Sequence, residues 1–127
     1  MPQPPQHKAA AVRRKLARMT KRRDFVRATN SPVCVKTPAF VMQAACNNLP
    51  QSRFGFTASA KVGGAVVRNR CKRRLREVVR LHLAQMALPG TDYVLIARQA
   101  TASYPFQALV RDALKGMEKC AKSLSQQ

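Results

Sequence analysis

At residues 54–79 the chain reads FGFTASAKVGGAVVRNRCKRRLREVV, and this stretch decides the fold. The alternating apolar residues from Phe54 to Ala58 predict a strand with one buried face. The doubled glycine at 63–64 predicts a turn, and it lacks the spacing of nucleotide-binding loops, so we expect no small-molecule substrate. A long helix is predicted from about Ala65 to Met86, because Pro89-Gly90 follows it.

The predicted helix has one apolar side and one basic side. At about 100° per residue, an apolar stripe is formed by Val67, Cys71, Leu75, Val78, His82 and Met86. The opposite half carries Arg70, Arg73, Arg76 and Arg80, with Arg74 at the border. Arg68 falls near the apolar stripe, but from the first turn its side chain can reach past the core into a neighbouring cleft. The helix is expected to pack with one side and to offer arginines with the other.

The remaining elements follow from apolar periodicity and from turn residues. A short helix is predicted at about Lys21 to Thr29 with Thr20 as N-cap, and a last helix at about Tyr104 to Leu124 with Ser103 as N-cap. Three strands are predicted: Val33 to Lys36 continuing past Pro38 into Phe40 to Cys46, then Arg53 to Ser59, then Thr91 to Arg98. The first two are expected to form a hairpin, and the third to be buried on both faces beside them.

The elements together predict one α+β domain. Their order is α-β-β-α-β-α, with helices packed on a small mixed sheet. Alternation places one set of strand residues towards the core: Phe40, Met42, Ala44, Phe54, Phe56 and Ala58. The opposite, available face carries Val41, Gln43, Arg53, Thr57 and Ser59.

The charge of the chain points to a polyanionic partner. The 127 residues include 24 Lys plus Arg and five acidic residues, so the net charge is +19. Such self-repulsion is relieved by a polyanion, and counterion release from phosphates makes nucleic acid the strongest candidate, with an anionic membrane surface as the weaker one. Arginine prevails in the basic helix, and its planar fork favours specific docking on RNA. Asn69 adds an amide that suits phosphates and ribose hydroxyls.

Location and domain limits are predicted from composition. Apolar runs such as Tyr93–Ala97 are far below the roughly 20 residues of a membrane span, so we expect no membrane partner and a cytoplasmic protein. The Pro- and Gln-rich, then basic, residues 1–20 predict a flexible arm that contacts RNA, with an organelle transit peptide as the alternative. Residues 21–127 would form the domain.

Four dispersed cysteines are interpreted as small buried residues in a reducing compartment: Cys34, Cys46, Cys71 and Cys120.

The acidic residues argue against a self-sufficient nuclease. They are scattered along the sequence at Asp24, Glu77, Asp92, Asp112 and Glu118. A metal-dependent nuclease needs clustered carboxylates to hold its ions. We therefore expect no catalytic residue and no metal site in this chain.

Residues 54–77, with Arg68-Asn69-Arg70 at their centre, closely resemble the signature of the bacterial ribonuclease P protein component. The resemblance extends from about Lys21 to Leu124 and includes Asp92–Arg98. It implies a left-handed β-α-β crossover through the basic helix. It also implies a non-catalytic enzyme subunit that binds ribonuclease P RNA and the 5′ leader of precursor tRNA, while the RNA with its Mg²⁺ removes the leader.

The resemblance implies two groups of site residues. The RNA-docking motif matches Lys61, Arg68, Asn69, Arg70, Lys72, Arg73 and Arg76, and the charge pattern adds Arg80. A cleft for the single-stranded leader would be lined by Arg22, Arg23, Phe25, Val41, Gln43, Thr57 and Ser59. Phe25 either stacks on a base or anchors the short helix. The chain departs from the family pattern at Thr29, Gln43 and Ala60, which predicts weaker or more polar leader contacts.

Two other classes remain open from the residues alone. A structural RNA-binding protein, such as a ribosomal component, would share the charge and the α+β architecture. A DNA-binding factor would place the basic helix in a major groove, but no companion helix stands at helix-turn-helix spacing.

Overall fold

The computed structural model describes residues 17–126 of the chain. These residues form three α-helices and a four-stranded sheet, in agreement with the predicted α+β class. In chain order the elements are α1 (Arg22–Thr29), β1 (Cys34–Lys36), β2 (Phe40–Cys46), β3 (Arg53–Thr57), α2 (Ala65–Val78), β4 (Thr91–Ala97) and α3 (Phe106–Ser125). No helix within this part of the chain has the length and apolar character needed to cross a membrane.

The order of strands across the sheet is β1-β2-β4-β3. The last strand in sequence, β4, lies in the middle, antiparallel to β2 and parallel to β3. The predicted hairpin of β2 and β3 is therefore wrong. Six of the seven β4 residues are buried. A strand of this kind buries more apolar surface at the centre of a sheet than it would at an edge.

A second correction concerns the single strand predicted from Val33 to Cys46. The chain turns back at residues 37–39, and β1 and β2 form an antiparallel hairpin with Val35 opposite Met42. Thr37 closes the turn, because its amide donates to the carbonyl of Phe40 at 2.9 Å while its hydroxyl oxygen accepts from the Phe40 amide at 3.0 Å. Pro38 is thus a turn residue and does not continue a strand.

The main core lies between one face of the sheet and the two longer helices. Phe40, Met42 and Leu95 of the sheet are fully buried against Leu75 of α2 and Leu109 of α3. The apolar periodicity predicted both helices correctly. The predicted N-caps are wrong: α1 begins after Lys21 and α3 after Pro105, both without a side-chain cap. Cysteine burial is confirmed for residues 71 and 120, whereas residues 34 and 46 are exposed.

The end of the basic helix departs from the predicted apolar stripe. Residues Val79–Leu83 form a π-helical turn, which is wider than an α-helical turn and shifts the phase of the side chains that follow. Leu83 at the end of the turn is therefore fully buried, and Val79 at its start is also fully buried, four residues after Leu75. His82 is half-buried instead of lying in the core, and Val67 and Met86 are exposed.

The connection from β3 through α2 to β4 joins neighbouring parallel strands, as the resemblance implied. Its handedness stays a prediction.

The outer edge of β3 is covered by the residues before α1. The amide of Met19 donates to the Phe54 carbonyl at 3.0 Å, and the Phe54 amide donates to the Ala17 carbonyl at 2.9 Å. Residues 17–20 thus belong to the domain and not to the predicted arm, of which residues 1–16 lie outside the described residues.

Candidate nucleic-acid interface

The face of the sheet opposite the main core is built of three rows of side chains. Strand pairing aligns Val41, Ile96 and Thr57 in the first row. The second row contains Gln43, Val94 and Gly55, and the third contains Ala45, Asp92 and Arg53. The short helix α1 crosses this face, and what it covers defines the remaining open surface.

The second row lies beneath α1. An added Cβ at Gly55 would stand 2.5 Å from Cε1 of Phe25, so the aromatic ring lies directly on this glycine. Ala28 packs against Val94, and the Gln43 amide donates to the Thr29 carbonyl at 3.0 Å. These contacts support the anchoring role of Phe25. The hydrogen bond from Gln43 also helps to attach α1 to the sheet.

The third row holds α1 by charge. The carboxylate of Asp92 is fully buried and accepts four hydrogen bonds of 2.7 to 2.8 Å, two from Arg53 and one each from Arg27 and Asn47. Asp24 lies 3.4 Å from both Arg27 and Arg53. Burial acts to raise the pKa of Asp92, but the hydrogen bonds from Arg53, Asn47 and Arg27 outweigh burial and hold that pKa below its usual value.

The first row stays open and forms the floor of a cleft beside α1. Val41, Ile96 and Thr57 are each only half-buried. Lys36 of β1 pairs with Val41 and continues the row towards the sheet edge as an exposed cation. Of the residues predicted to line the leader cleft, Val41 and Thr57 lie in this row, and Phe25 lies on Gly55 of the neighbouring row. Ser59 is exposed just beyond the end of β3.

The two arginines predicted for the cleft lie on different sides of α1. Arg22 precedes Phe25 by three residues and Thr29 by seven, so helical spacing places it on the cleft side. Arg23 instead lines a cavity on the Asp92 side of the helix. The two side chains are separated in this way because one helical position turns a side chain by about 100°, and a leader contact of Arg23 stays a prediction.

The basic face of α2 points away from the main core. Cys71, Leu75 and Val78 are fully buried and fix the helix on the sheet. Asn69, Arg70 and Arg73 are exposed on the opposite side. Lys61 is exposed in the 3₁₀ turn Ala60–Val62 that leads into the helix. Gly63 follows with a φ of 152°, a conformation that side chains disfavour.

Arg68, Lys72 and Arg76 form a half-buried ridge along the side of α2 that faces β3. The Arg76 guanidinium lies 5.8 Å from the centre of the Phe56 ring. Burial lowers the pKa of Arg76, and the neighbouring cations Arg18 and Arg73 lower it further. Within the described residues, the Nε atoms of Arg68 and Arg76 are buried without a hydrogen-bond acceptor. The ridge has cationic donors that the fold itself does not satisfy.

Two other arginines of this helical segment form hydrogen bonds within the protein. Arg74 donates to the carbonyls of Thr101, Ala102 and Tyr104, so it ties α2 to the turn before α3. Arg80 of the predicted docking set donates to Glu77 at 2.6 Å, and this bond lowers the pKa of Glu77. Arg80 is about half exposed but partly neutralised, unlike Arg70 and Arg73.

Sequence reasoning missed several residues of this region. Ile96 was placed in a strand buried on both faces, yet it belongs to the open floor, and only the pairing with Val41 and Thr57 reveals this. The partners of Asp92 were missed because Arg27 is 65 residues away. No group of three or more His, Cys, Asp or Glu side chains within residues 17–126 is arranged to hold a metal ion.

Comparison with known proteins gives one consistent result. Residues 14–121 match the family model described as Ribonuclease P. Ribonuclease P protein components of Caulobacter vibrioides and Gluconacetobacter diazotrophicus are 41% and 42% identical to the chain, over 87% and 80% of its length and 74% and 89% of theirs. The solved RNase P protein of Staphylococcus aureus is similar over 85% of this chain and 97% of its own, with 32% identity and a TM-score of 0.66. That of Thermotoga maritima covers 84% and 97%, with 26% identity and a TM-score of 0.70.

Proposed function

The chain belongs to the ribonuclease P protein family, and from this premise we propose that it binds the catalytic RNA of ribonuclease P and the 5′ leader of precursor tRNA. It would assist the RNA in removing that leader. The chemistry would be carried out by the RNA, with this chain as the non-catalytic subunit.

The observation that carries the proposal is the cationic ridge of α2. Arg68 and Arg76 have buried Nε donors without acceptors among the described residues, next to the exposed Arg70 and Arg73. Neither guanidinium group of the ridge forms an ion pair within residues 17–126, so both keep their charge for an anion from outside the chain. Phosphate oxygens suit guanidinium groups in geometry and charge. This supports α2 as the surface that docks on ribonuclease P RNA.

The open row beside α1 supports the assignment of the leader. Its floor combines the apolar side chains of Val41 and Ile96 with the hydroxyl of Thr57, which suits unpaired bases better than a duplex. The row reaches β3 at Thr57, and the α2 ridge reaches β3 at Phe56, beneath Arg76. The two candidate surfaces thus lie on opposite faces of the same edge strand.

Residues 17–126 do not fit a protein-held Mg²⁺ ion. Asp24 and Asp92 are the two carboxylates that the fold brings together, and the four acceptor positions of Asp92 are taken by Arg53, Arg27 and Asn47. Hard cations need free oxygen ligands. We propose that the Mg²⁺ of the assembled enzyme is held by the RNA subunit.

The proposal is tested by reconstitution. Purified protein is added to a bacterial-type ribonuclease P RNA at low magnesium, and cleavage of a precursor tRNA is followed by the size of the released leader. We expect correct 5′ processing that the RNA alone does not achieve at that magnesium concentration. Without any stimulation the assignment fails, and a role as a structural RNA-binding protein would replace it.

A further inference from the structure

A basic basin lies between α1 and the loop that joins β2 to β3. It has a volume of about 270 Å³, and its cationic walls are Lys21, Arg23, Arg27 and Arg53, with Asn47 at the loop side. The basin is on the Asp92 side of α1, whereas the open row of the cleft is on the Phe25 side. It is therefore a separate site from the proposed leader cleft.

The charges around the basin are not balanced. Four cations stand against two carboxylates, Asp24 in the wall and Asp92 beneath it. The acceptor positions of Asp92 are filled by hydrogen bonds from Arg53, Arg27 and Asn47. A carboxylate offers about four such positions, so Asp92 has none left for a further cation.

The remaining donors point to an external anion. Lys21 and Arg23 form no ion pair within residues 17–126, and both side chains are exposed. Arg27 uses one of its terminal nitrogens for Asp92 and remains 45% exposed. Arg53 is held rigidly by Asp92 and Asp24 at the base of the basin. Two positioned guanidinium groups and two unpaired cations surround one cavity.

We propose that this basin is a phosphate-binding site that takes a phosphodiester group of bound RNA on the side of α1 away from the cleft. The inference rests on the proposed RNA-binding function and adds a second contact to it. The structural task of attaching α1 to the sheet is performed by Arg27 and Arg53 through Asp92. It requires neither Lys21 nor Arg23, and the excess of two positive charges suits a phosphate better than a neutral ligand.

The first test uses inorganic phosphate with the full-length protein labelled with ¹⁵N. We expect the side-chain Nε–H signals of Arg27 and Arg53 to shift as phosphate is added. The double substitution Lys21→Gln with Arg23→Gln should weaken this response by at least about tenfold, since hydrogen bonds to charged groups are lost. The matched control is Arg111→Gln with Lys115→Gln, which removes one arginine and one lysine from exposed positions of α3.

The second test measures RNA affinity in two arms. One arm titrates the protein variants onto ribonuclease P RNA alone, and the other titrates precursor tRNA onto the assembled complex. In one arm the affinity of the double variant should be at least about tenfold lower. The number of phosphate contacts derived from the salt dependence should fall there by about one. Loss in the first arm assigns the phosphate to the catalytic RNA, and loss in the second assigns it to the precursor.

The outcomes separate the two proposals. If the double variant, folded by far-UV circular dichroism, matches the control in both arms, the basin is not an RNA phosphate site, even if inorganic phosphate binds there. If the unaltered protein itself binds neither RNA, the proposed function fails, whatever the basin does.

Discussion

The helices α1 and α2 lie on opposite faces of one sheet but are attached to it by different forces. Helix α2 inserts the fully buried Cys71, Leu75 and Val78 into the main core. Helix α1 is attached by the ion pairs of Asp92 with Arg27 and Arg53, and by the ring of Phe25 on the sheet. Apolar contacts use no charged group, so Arg70 and Arg73 of α2 stay exposed. The attachment of α1, by contrast, uses the cations Arg27 and Arg53.

The difference has a consequence for how each surface responds to conditions. Apolar burial depends little on pH and on moderate salt, so the α2 surface should persist wherever the domain is folded. The ion pairs of α1 depend on the ionised state of Asp92, so the cleft wall formed by α1 should be the first part to loosen as the pH falls. Changes to either attachment test this comparison.

The largest loss of stability is expected for Leu75→Ala, which removes a fully buried side chain where α2 meets the sheet. Leucine-to-alanine changes in cores cost about 2 to 5 kcal/mol, through lost transfer energy and the cavity left behind. The free energy of unfolding is measured by urea denaturation. The control is Val66→Ala on the same helix, where the side chain is 80% exposed and the expected change is below about 0.5 kcal/mol.

Substitution of the charged attachment, Asp92→Asn, should cost about 3 kcal/mol of unfolding free energy. Removing one partner of a buried ion pair usually costs 3 to 5 kcal/mol, and the half-exposed Arg27 can turn to solvent, which favours the lower value. Glu118→Gln, on the exposed side of α3, removes the same charge and should change little. Equal stability of the two variants in urea would contradict the role of Asp92.

The contact between Phe25 and the sheet is tested by Gly55→Ala. The added Cβ would lie 2.5 Å from Cε1 of Phe25 and 3.2 Å from the sulfur of Met19, so the ring must move. Overpacking of this kind costs about 1 to 3 kcal/mol. Combined with Phe25→Ala the same methyl group should cost much less, and a double-mutant cycle in urea measures this coupling. Simple additivity would show that the ring does not rest on Gly55.

Acid should loosen α1 before it affects α2. The pKa of Asp92 is lower in the folded protein than its unfolded value near 3.9, so the carboxylate contributes stability above that pH. The contribution is lost as the pH falls towards the folded pKa. Hydrogen exchange at decreasing pH should show residues 22–29 losing protection first. In Asp92→Asn this pH dependence should largely disappear, and simultaneous loss of protection in both helices would contradict the comparison.

The smallest effect on stability is expected for Arg70→Ala, because its side chain is exposed on α2. The unfolding free energy should change by less than about 0.5 kcal/mol, while affinity for ribonuclease P RNA should fall measurably in a filter-binding titration. Arg111→Ala on α3 serves as the control for general loss of charge. An unchanged affinity of the Arg70 variant would remove this residue from the docking surface.

Local periodicity predicted much of the fold correctly. The spacing of apolar residues located α2 and α3, and the continuous apolar run in β4 predicted a strand buried on both faces. The same reasoning joined β1 to β2 and paired β2 with β3, because alternation records which face a residue occupies and not which strand lies beside it. The π turn at Val79–Leu83 was equally hidden, since it changes hydrogen bonding without a sequence signal of its own.

The candidate sites divide in the same way. The exposure of Asn69, Arg70 and Arg73 follows from the helical projection alone, because α2 is long and its core stripe is clear. The open row of Val41, Ile96 and Thr57 required the strand order, and the placement of Arg22 and Arg23 on opposite sides of α1 required the position of that helix on the sheet.

The sequence by itself determined the excess of positive charge, the amphipathic character of two helices and the family to which the chain belongs. These properties are local or summed over residues, so they can be predicted without knowledge of the fold. Only the tertiary structure decided that Asp92 lies between Arg27 and Arg53, and that the cavity beside them is lined by more cations than carboxylates among residues 17–126. Such groupings depend on which distant segments pack together, and that choice is made by burial over the whole domain.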